Sequence, residues 1–216
     1  MNAGLEYHRQ ELAFALDAKH PSHSLPPVPP DAKSILDIGC GMGQTLKALR
    51  LDPTIEAWGL DRDVEAIEAG REDADSNIHL VVGSGEHLPF ADESFDLVFS
   101  RVALPYMDIP VTLAEIFRVL RPEGRLWTAL HPPRMLARRI REDILGARAR
   151  DLVFCSFVAL NSTMLRVFGR QYRIRGHCET VQTRAGFHKL LRAAGLEPLP
   201  DGARSDQLIV EARKPG

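Results

Sequence analysis

Three glycines alternate along one short stretch of the chain, directly after an acidic residue. The stretch is LDIGCGMG, in which Asp37 precedes Gly39, Gly41 and Gly43. Glycine adopts backbone angles that other residues avoid, and it lets a ligand approach the main chain closely. The N–H groups of a helix that follows such a turn suit a carboxylate or a phosphate. Asp37 disfavours a pyrophosphate and favours a ligand that carries positive charge.

A second acidic residue, Asp61, ends the apolar stretch AWGLD. At the end of a second strand, a carboxylate accepts hydrogen bonds from ribose hydroxyls. The G-x-G-x-G spacing differs from the G-x-G-x-x-G of nicotinamide enzymes, and the G-K-[ST] of a P-loop is absent. These features predict a ligand with a ribose, a cationic part and a carboxylate. A turn needed only for packing, with Asp61 capping a helix, is the alternative.

The elements that position these residues follow a regular alternation of strands and helices. Strands are predicted over 34–38, 56–60, 78–82, 95–100 and 125–130, with a final one in DQLIVEARK; helices are predicted over 45–50, 64–69, 111–120 and in TRAGFHKLLRAAGLEP. Strands that alternate with helices at this spacing predict a parallel α/β sheet.

The flanking segments depart from this alternation. Residues 1–30 are predicted to form a short helix over 5–18 and a proline-rich linker, HPSHSLPPVPP. Residues 31–216 form the main domain in this interpretation, and 131–182 are an insertion predicted to act as a lid over an acceptor.

Composition narrows the class of protein. The chain has 216 residues, of which 44% are hydrophobic and 26% charged, typical of a soluble globular protein. Three scattered cysteines argue against a disulfide framework and a cysteine zinc site, and no metal site is predicted. The polar N-terminus lacks the pattern of a signal peptide, and no uninterrupted apolar run approaches membrane-spanning length. We therefore expect a cytoplasmic protein without a membrane span.

Four motifs over about 34–131 carry a resemblance to a known family. They are LDIGCGMG, GLDRD, GSGEHLPFADESFDLVFS and LAEIFRVLRPEGRLWTALH. In this order and spacing the chain resembles the class I S-adenosylmethionine-dependent methyltransferases, particularly the type 11 group that acts mostly on small molecules. The resemblance implies an α/β, Rossmann-like, seven-stranded mixed sheet with its last strand antiparallel and helices on both faces. It also implies S-adenosylmethionine as the cofactor.

The resemblance assigns roles to single positions. Asp37 would lie near the cofactor's ammonium, the glycine turn would wrap its methionine part, and Asp61 would hold its ribose. The implied cofactor-binding residues are Asp37, Gly39, Cys40, Gly41, Gly43, Asp61, Arg62, Ser84, Gly85, Glu86, Ser100, Arg101 and Val102. Ser84 stands where the family usually has an aspartate, so we expect weaker recognition of the adenine amino group.

Methyl transfer from a sulfonium requires little side-chain chemistry, because the leaving group is already good. Alignment and exclusion of water dominate, and a base is needed only if the acceptor must lose a proton. The candidates for that base are His131, which follows the fifth strand, then Tyr106, His177 and Glu179. A histidine before two prolines is equally consistent with an ordinary loop residue.

The acceptor should meet the basic segment. Residues 131–184 contain eleven arginines and four acidic residues. The stretch RQYRIRGH is predicted to contact the acceptor through Arg170, Tyr172, Arg173, Arg175 and His177, and its arginines suit a carboxylate or phosphate. The arginines of RMLARRIREDIL are interpreted as the solvated face of a helix.

The favoured function is S-adenosylmethionine-dependent transfer of a methyl group to a small, anionic acceptor by in-line displacement. One alternative is an RNA or protein methyltransferase. The residues SRVA stand after the fourth strand in place of [DN]PP[YF], and no separate nucleic-acid-binding module is evident, which argues against a nucleic-acid partner. A second alternative is a non-catalytic protein that binds S-adenosylmethionine or S-adenosylhomocysteine. The sequence does not predict the oligomeric state.

Overall fold

The computed structural model describes residues 3–17, 19–20, 24–145, 149–174, 177–200 and 207–216. The strands are β1 (Ser34–Ile38), β2 (Glu56–Asp61), β3 (Ile78–Val82), β4 (Phe95–Arg101), β5 (Leu120–Leu130), β6 (Glu197–Pro198) and β7 (Leu208–Arg213). The helices are α1 (Ala3–Leu16), α2 (Gln44–Leu49), α3 (Val64–Arg71), α4 (Ile109–Val119), α5 (Pro133–Leu145), α6 (Ala149–Phe168) and α7 (Arg184–Ala193), with a 3₁₀ turn at Leu104–Tyr106.

The seven strands form one sheet in the order β3-β2-β1-β4-β5-β7-β6. Neighbours from β3 to β5 run parallel, whereas β7 runs antiparallel to both β5 and β6. The predicted mixed sheet with an antiparallel last strand is confirmed. The two-residue β6 was not predicted, because so short a strand has no detectable periodicity.

Two apolar cores cover the two faces of the sheet. In β1, Ile35 belongs to one core and Leu36 to the other, since successive strand side chains point to opposite faces. Leu113 of α4 and Phe187 of α7 pack in the core with Leu36. Leu46 of α2 packs in the core with Ile35, as does Ile67 of α3. Helices therefore cover both faces, as predicted.

The boundary between α4 and β5 differs from its prediction. The carboxylate of Asp108 accepts a hydrogen bond from Val111 N–H, and Pro110 lies in the first turn, so α4 begins at Ile109. β5 begins at Leu120, which pairs with Phe95 before a shift of register, and regular pairing resumes at Arg125. The cap and the proline set the start of α4 at Ile109, which is two residues before the start that the apolar stripe predicts.

The N-terminal helix is not remote from the domain. α1 packs against α2 and α3, and its predicted end at residue 18 is found at Leu16. The proline-rich linker after it leads back to β1. α1 therefore lies beside the turn between β1 and α2.

The basic segment contains two long helices, α5 and α6, which pack against each other. By length and composition alone, Asp151–Phe168 of α6 could cross a membrane, which differs from the expectation that no stretch would do so. Leu165 of α6 is fully buried in the larger core, so this helix is anchored to the sheet domain.

Candidate active site

A cavity of about 860 Å³ opens at the carboxyl ends of β1, β2 and β4. The strand order reverses between β1 and β4, and ligands of doubly wound sheets bind at such a point. The volume lies within the usual range for small-molecule sites. The residues that line the cavity include Tyr7, His8, Glu11, Gly39, Asp61, Arg62, Ser84, Gly85, Glu86, Arg101, Val102, Tyr106, His131, Arg134, Met135, Arg138 and Gln207.

The glycine turn has no room for side chains. Gly39, Gly41 and Gly43 all have positive φ, at 79°, 55° and 79°. A Cβ added to Gly39 would lie 2.1 Å from the Cβ of Ala103. Gly39 N–H donates to the carbonyl of Leu60 at 2.8 Å, which fixes the turn to the end of β2. The sequence therefore needs glycine here both for backbone angle and for close approach.

Asp61 is held at the cavity by main-chain hydrogen bonds. Its Oδ2 accepts from Gly41 N–H at 2.8 Å, and its Oδ1 accepts from Asp63 N–H at 2.9 Å. Each carboxylate oxygen can accept a further hydrogen bond. The geometry therefore leaves Asp61 able to accept from two neighbouring hydroxyls, the pattern that a ribose presents.

Asp37 lies beneath the glycine turn and is almost fully buried, at 1% exposure. Burial raises the pKa of its carboxyl to about 8; Arg101 opposes this shift and Asp61 adds to it. Among the described residues, Asp37 Oδ1, Ser100 Oγ and Arg101 Nε are buried without a hydrogen-bond partner. These unsatisfied polar atoms at the ends of β1 and β4 fit a ligand with both an ammonium and a carboxylate group.

The N-terminal helix covers this part of the cavity. Glu11 Oε2 of α1 lies 2.5 Å from Arg101 Nη2. His8 Nδ1 is 2.4 Å from the position that a Cβ on Gly41 would take. Tyr7, His8 and Glu11 were not predicted as site residues. A single sequence carries no signal for them, because α1 is separated from β1 by the linker.

At the adenine side, a second chain of contacts orders the loop after β3. Ser84 Oγ donates to Glu86, and Glu86 also accepts from Asp108 N–H at 3.1 Å. Arg173 Nη2 lies 2.6 Å from Glu86 Oε1. Burial disfavours the charged form of Glu86, yet these hydrogen bonds and the Arg173 charge lower its pKa overall. Arg173 therefore contacts the predicted adenine edge rather than the methyl end.

The opposite end of the cavity brings three of the four candidate bases together. His131 is 4% exposed, and its Nδ1 lies 3.7 Å from Glu179 Oε1, which is also buried. The ring of Tyr106 meets the His131 ring edge-on at 5.5 Å. Burial, then the charges of Glu179 and Tyr7, raise the pKa of Tyr106, so its hydroxyl stays protonated. The fourth candidate, His177, is exposed and outside the lining.

Val102 follows β4 at this end with φ at 66°. A β-branched residue in the left-handed region is strained, and such residues concentrate at functional sites. Its N–H donates to the carbonyl of Ala129 at 2.9 Å, which holds the strained residue in place.

The predicted cofactor residues divide into a lining set and a supporting set. Gly39, Asp61, Arg62, Ser84, Gly85, Glu86, Arg101 and Val102 line the cavity, whereas Asp37, Cys40, Gly41, Gly43 and Ser100 lie outside its lining. The Cys40 side chain packs in the core of Ile35, so only its main chain is available to a ligand. The individual roles in binding stay predictions.

The predicted acceptor cluster is placed elsewhere. Arg170, Tyr172, Arg173 and His177 are exposed and do not line the cavity, and Arg175 lies outside the described residues. Arg134 and Arg138 of α5 line it instead. The sequence interpretation assigned these two to a solvated face, because an amphipathic pattern does not distinguish bulk solvent from a polar cavity.

Fold and site together define a protein that binds a nucleoside with a charged amino-acid part at a glycine-rich switch point. Residues 36–128 match the sequence profile of a methyltransferase-domain family, the type 11 group. These residues form a class I S-adenosylmethionine-dependent methyltransferase domain, so the predicted family and cofactor are confirmed.

Two relatives illustrate the similarity. The ubiquinone/menaquinone biosynthesis C-methyltransferase UbiE of Dinoroseobacter shibae is 38% identical over 105 residues, 45% of this chain and 42% of that one. The malonyl-[acyl-carrier protein] O-methyltransferase of Methylococcus capsulatus is 41% identical over 103 residues, 45% of this chain and 37% of that one. The chain thus spans about two fifths of these relatives' length.

A solved structure extends the likeness in fold to the whole chain. It is the putative methyltransferase of Haloferax volcanii in complex with the Trm112 methyltransferase activator. The match has a TM-score of 0.69 and 21% identity, and it covers 99% of this chain and 94% of that one. At this identity the match supports the fold, including α5 and α6, and nothing beyond it.

Proposed function

We propose that this protein transfers a methyl group from S-adenosylmethionine to a small anionic acceptor by in-line displacement. One observation carries the proposal. One cavity is lined at one end by Gly39 of the glycine turn and Asp61, and at the other by Tyr106 and His131. A cofactor at the first end would present its reactive group toward the second.

The cofactor would be held by polar groups that have hydrogen-bonding capacity left over in this structure. Asp37 and Arg101 would face its ammonium and carboxylate, and Asp61 would accept from its ribose hydroxyls. Ser84 and Glu86 would bound the adenine. When bound, S-adenosylmethionine supplies an electrophilic methyl group on a positively charged sulfur. The chain itself has to align the acceptor and exclude water.

His131 is the group that would accept a proton from the acceptor. His131 would take the proton that the acceptor loses as its nucleophilic atom receives the methyl group, which S-adenosylmethionine would supply with S-adenosylhomocysteine as the leaving group. Glu179, 3.7 Å from Nδ1, would orient the ring and stabilise its charged form. Tyr106 would serve as a hydrogen-bond donor, because its raised pKa keeps the hydroxyl protonated.

Arg134 and Arg138 supply the anionic preference. Both line the cavity from α5, on the side of His131, and guanidinium groups bind carboxylates and phosphates through paired hydrogen bonds. A relative named for O-methylation of a malonyl group is consistent with an acceptor of this charge. The contact between RQYRIRGH and the acceptor stays a prediction, and the lining of the cavity favours α5 as the site of the anionic group.

The test uses purified protein, S-adenosylmethionine labelled on the methyl group, and paired acceptors that differ only by a free carboxylate or its amide. We expect transfer to the nucleophilic atom of the acceptors that carry the carboxylate, and little transfer to the same atom of their amides. Arg134→Gln with Arg138→Gln should raise KM for the acceptor at least about tenfold and leave cofactor affinity unchanged. Arg141→Gln, an exposed change on the same helix outside the cavity lining, is the matched control.

Two outcomes would contradict this proposal in different ways. Cofactor binding without transfer to any acceptor would favour the non-catalytic alternative. Methylation of RNA that weakens steeply with salt, with no transfer to small carboxylates, would favour a nucleic-acid substrate.

A further inference from the structure

α6 is apolar on two opposite faces. Cys155, Val158 and Leu165 are buried on the inner face. On the other side of the helix, Val153, Leu160 and Val167 recur every seven residues and are 71%, 63% and 55% exposed. Ser156 and Thr163 lie in the same stripe, and together these five residues are called the outer face. A surface helix normally has polar residues on the side opposite its buried face, so an apolar outer face is a candidate for contact with a partner.

The two hydroxyl residues of the outer face offer little polarity to solvent. Ser156 Oγ donates to the carbonyl of Leu152, and Thr163 Oγ1 donates to that of Ala159, both at 2.9 Å. A hydroxyl satisfied four residues back along its own helix needs no water or external partner. The outer face is therefore suited to an apolar environment along its full length.

Exposed apolar surface is concentrated around this face. Among the described residues, twelve large hydrophobic side chains are exposed, and six of them lie between Val153 and Ile174. Phe168, the last residue of α6, and Tyr172 and Ile174 after it are also exposed, at 65%, 51% and 55%. A concentration of large exposed apolar side chains in one part of the chain is typical of an interaction site.

Positive charge borders the apolar stripe. Arg166 and Arg170 are exposed at the C-terminal end of α6. On the neighbouring helix α5, Arg139 is exposed, and its guanidinium lies 5.2 Å from the centre of the Phe154 ring. Apolar side chains flanked by arginines are the features of a helix that lies in the interface of an anionic membrane.

The inner face excludes a membrane-spanning role for α6. Leu165 is fully buried in the core of the sheet domain. Asn161 Nδ2 donates to the carbonyls of Tyr172 and Cys178 at 3.2 Å and 3.3 Å, and Asn161 Oδ1 accepts from Tyr172 N–H at 2.7 Å. A helix anchored in this way can rest on a bilayer without crossing it.

We propose that the outer face of α6 docks on the surface of an anionic phospholipid bilayer. The apolar stripe enters the headgroup region, and the surrounding arginines contact lipid phosphates. A second copy of the chain is a poorer occupant, because a symmetric contact would place two sets of the exposed Arg139, Arg166 and Arg170 at one interface.

The experiment measures flotation of the full chain with vesicles of phosphatidylcholine, alone or mixed with phosphatidylglycerol. We expect binding to the mixed vesicles and at least tenfold weaker binding to phosphatidylcholine. The variant Val153→Ser, Leu160→Ser, Val167→Ser should lose binding at least tenfold. All three positions are exposed, so far-ultraviolet circular dichroism and thermal unfolding should be unchanged. Brominated lipids should quench the tryptophan fluorescence of a Leu160→Trp variant more than that of the wild type.

The matched control is Val64→Ser with Val82→Ser, two exposed valines on other elements. This variant should bind vesicles like the wild type. Equal binding by the outer-face variant and the wild type would overturn the proposal. So would a wild-type dimer in solution that the outer-face variant converts to a monomer, since the face would then join two copies.

Discussion

The carboxylate of Glu11 contacts the guanidinium of Arg101, with 2.5 Å between Oε2 and Nη2 and 90 residues between them in sequence. The Arg101 side chain is 6% exposed and that of Glu11 is 20% exposed. The contact joins α1 to the end of β4 across the cavity. Since a buried ion pair that loses one partner leaves an unpaired charge, α1 depends on this contact for its position.

Glu11→Gln should therefore loosen α1. We expect tryptic cleavage after Arg9 to become about tenfold faster, and S-adenosylhomocysteine to bind about tenfold more weakly, because α1 opens more often. Glu6→Gln, an exposed change on the same helix, is the control and should alter neither quantity. Identical proteolysis of the two variants would show that the contact does not hold the helix.

Gly39→Ala tests the need for a bare turn. The added Cβ meets that of Ala103 at 2.1 Å, and φ is 79°, so we expect destabilisation of about 2 kcal/mol or more and loss of cofactor binding. Gly169→Ala separates the two causes, because φ there is 67° and nothing lies within 4 Å of the added Cβ. That control should cost about 1 kcal/mol and leave binding intact. Denaturant unfolding measures both, and equal losses would argue against a steric role.

Asp37 should make the apo protein less stable as the pH rises. Burial raises its folded-state pKa from 3.8 to about 8, so the folded state holds a proton that the unfolded state releases between these values. Stability from this group therefore falls by about 1.4 kcal/mol per pH unit from about pH 4 to 8. Asp37→Asn should flatten that slope in thermal unfolding. If the wild type and Asp37→Asn showed the same slope of stability against pH, the raised pKa of Asp37 would be contradicted.

Asp96→Asn is a control for which the pH dependence of stability has the opposite sign. Burial opposes ionisation of Asp96, yet hydrogen bonds from Arg121 and from the N–H groups of Lys33 and Ser34 lower its pKa. The stability that Asp96 contributes is present at pH values above the ordinary pKa of an aspartate. It is lost as the pH falls below that pKa. The variant should thus be less stable than the wild type at pH 7, and the difference should shrink in acid.

The variant Glu179→Gln tests whether Glu179 positions and stabilises His131 without contributing to cofactor binding. The amide keeps the shape of the carboxylate but does not stabilise a positively charged His131, so we expect kcat to fall about 10²-fold or more with cofactor affinity unchanged. His131→Asn should lower kcat at least as much, and the double variant should be little worse than His131→Asn alone. Additive losses in the double variant would mean that the two residues act independently.

The sequence predicted best those site features that lie in consecutive residues. Gly39 and Asp61 follow strands whose ends meet in any doubly wound sheet, so local pattern and fold class were sufficient. Arg101 follows from its place at the end of β4, whereas Glu86 is implied only by the resemblance of the motif after β3 to the family.

The contributions of distant segments could not be predicted in the same way. Glu11 reaches the cavity only because α1 packs on α2 and α3, and a polar side chain on an amphipathic helix has no feature that indicates a cavity. Glu179 meets His131 because the main chain of Gln182 donates to the carbonyl of His131 at 2.9 Å. Such pairing over about fifty residues has no counterpart in local periodicity.

The cavity is lined by side chains from Tyr7 to Gln207, nearly the full length of the chain. During synthesis, the glycine turn and the first strands leave the ribosome long before the last of these residues. A nascent chain that has completed the matching stretch 36–128 still lacks α5, the His131–Glu179 pair and the wall formed by Gln207. The acceptor end of the cavity is therefore completed last, after every residue predicted to bind the cofactor has been synthesised.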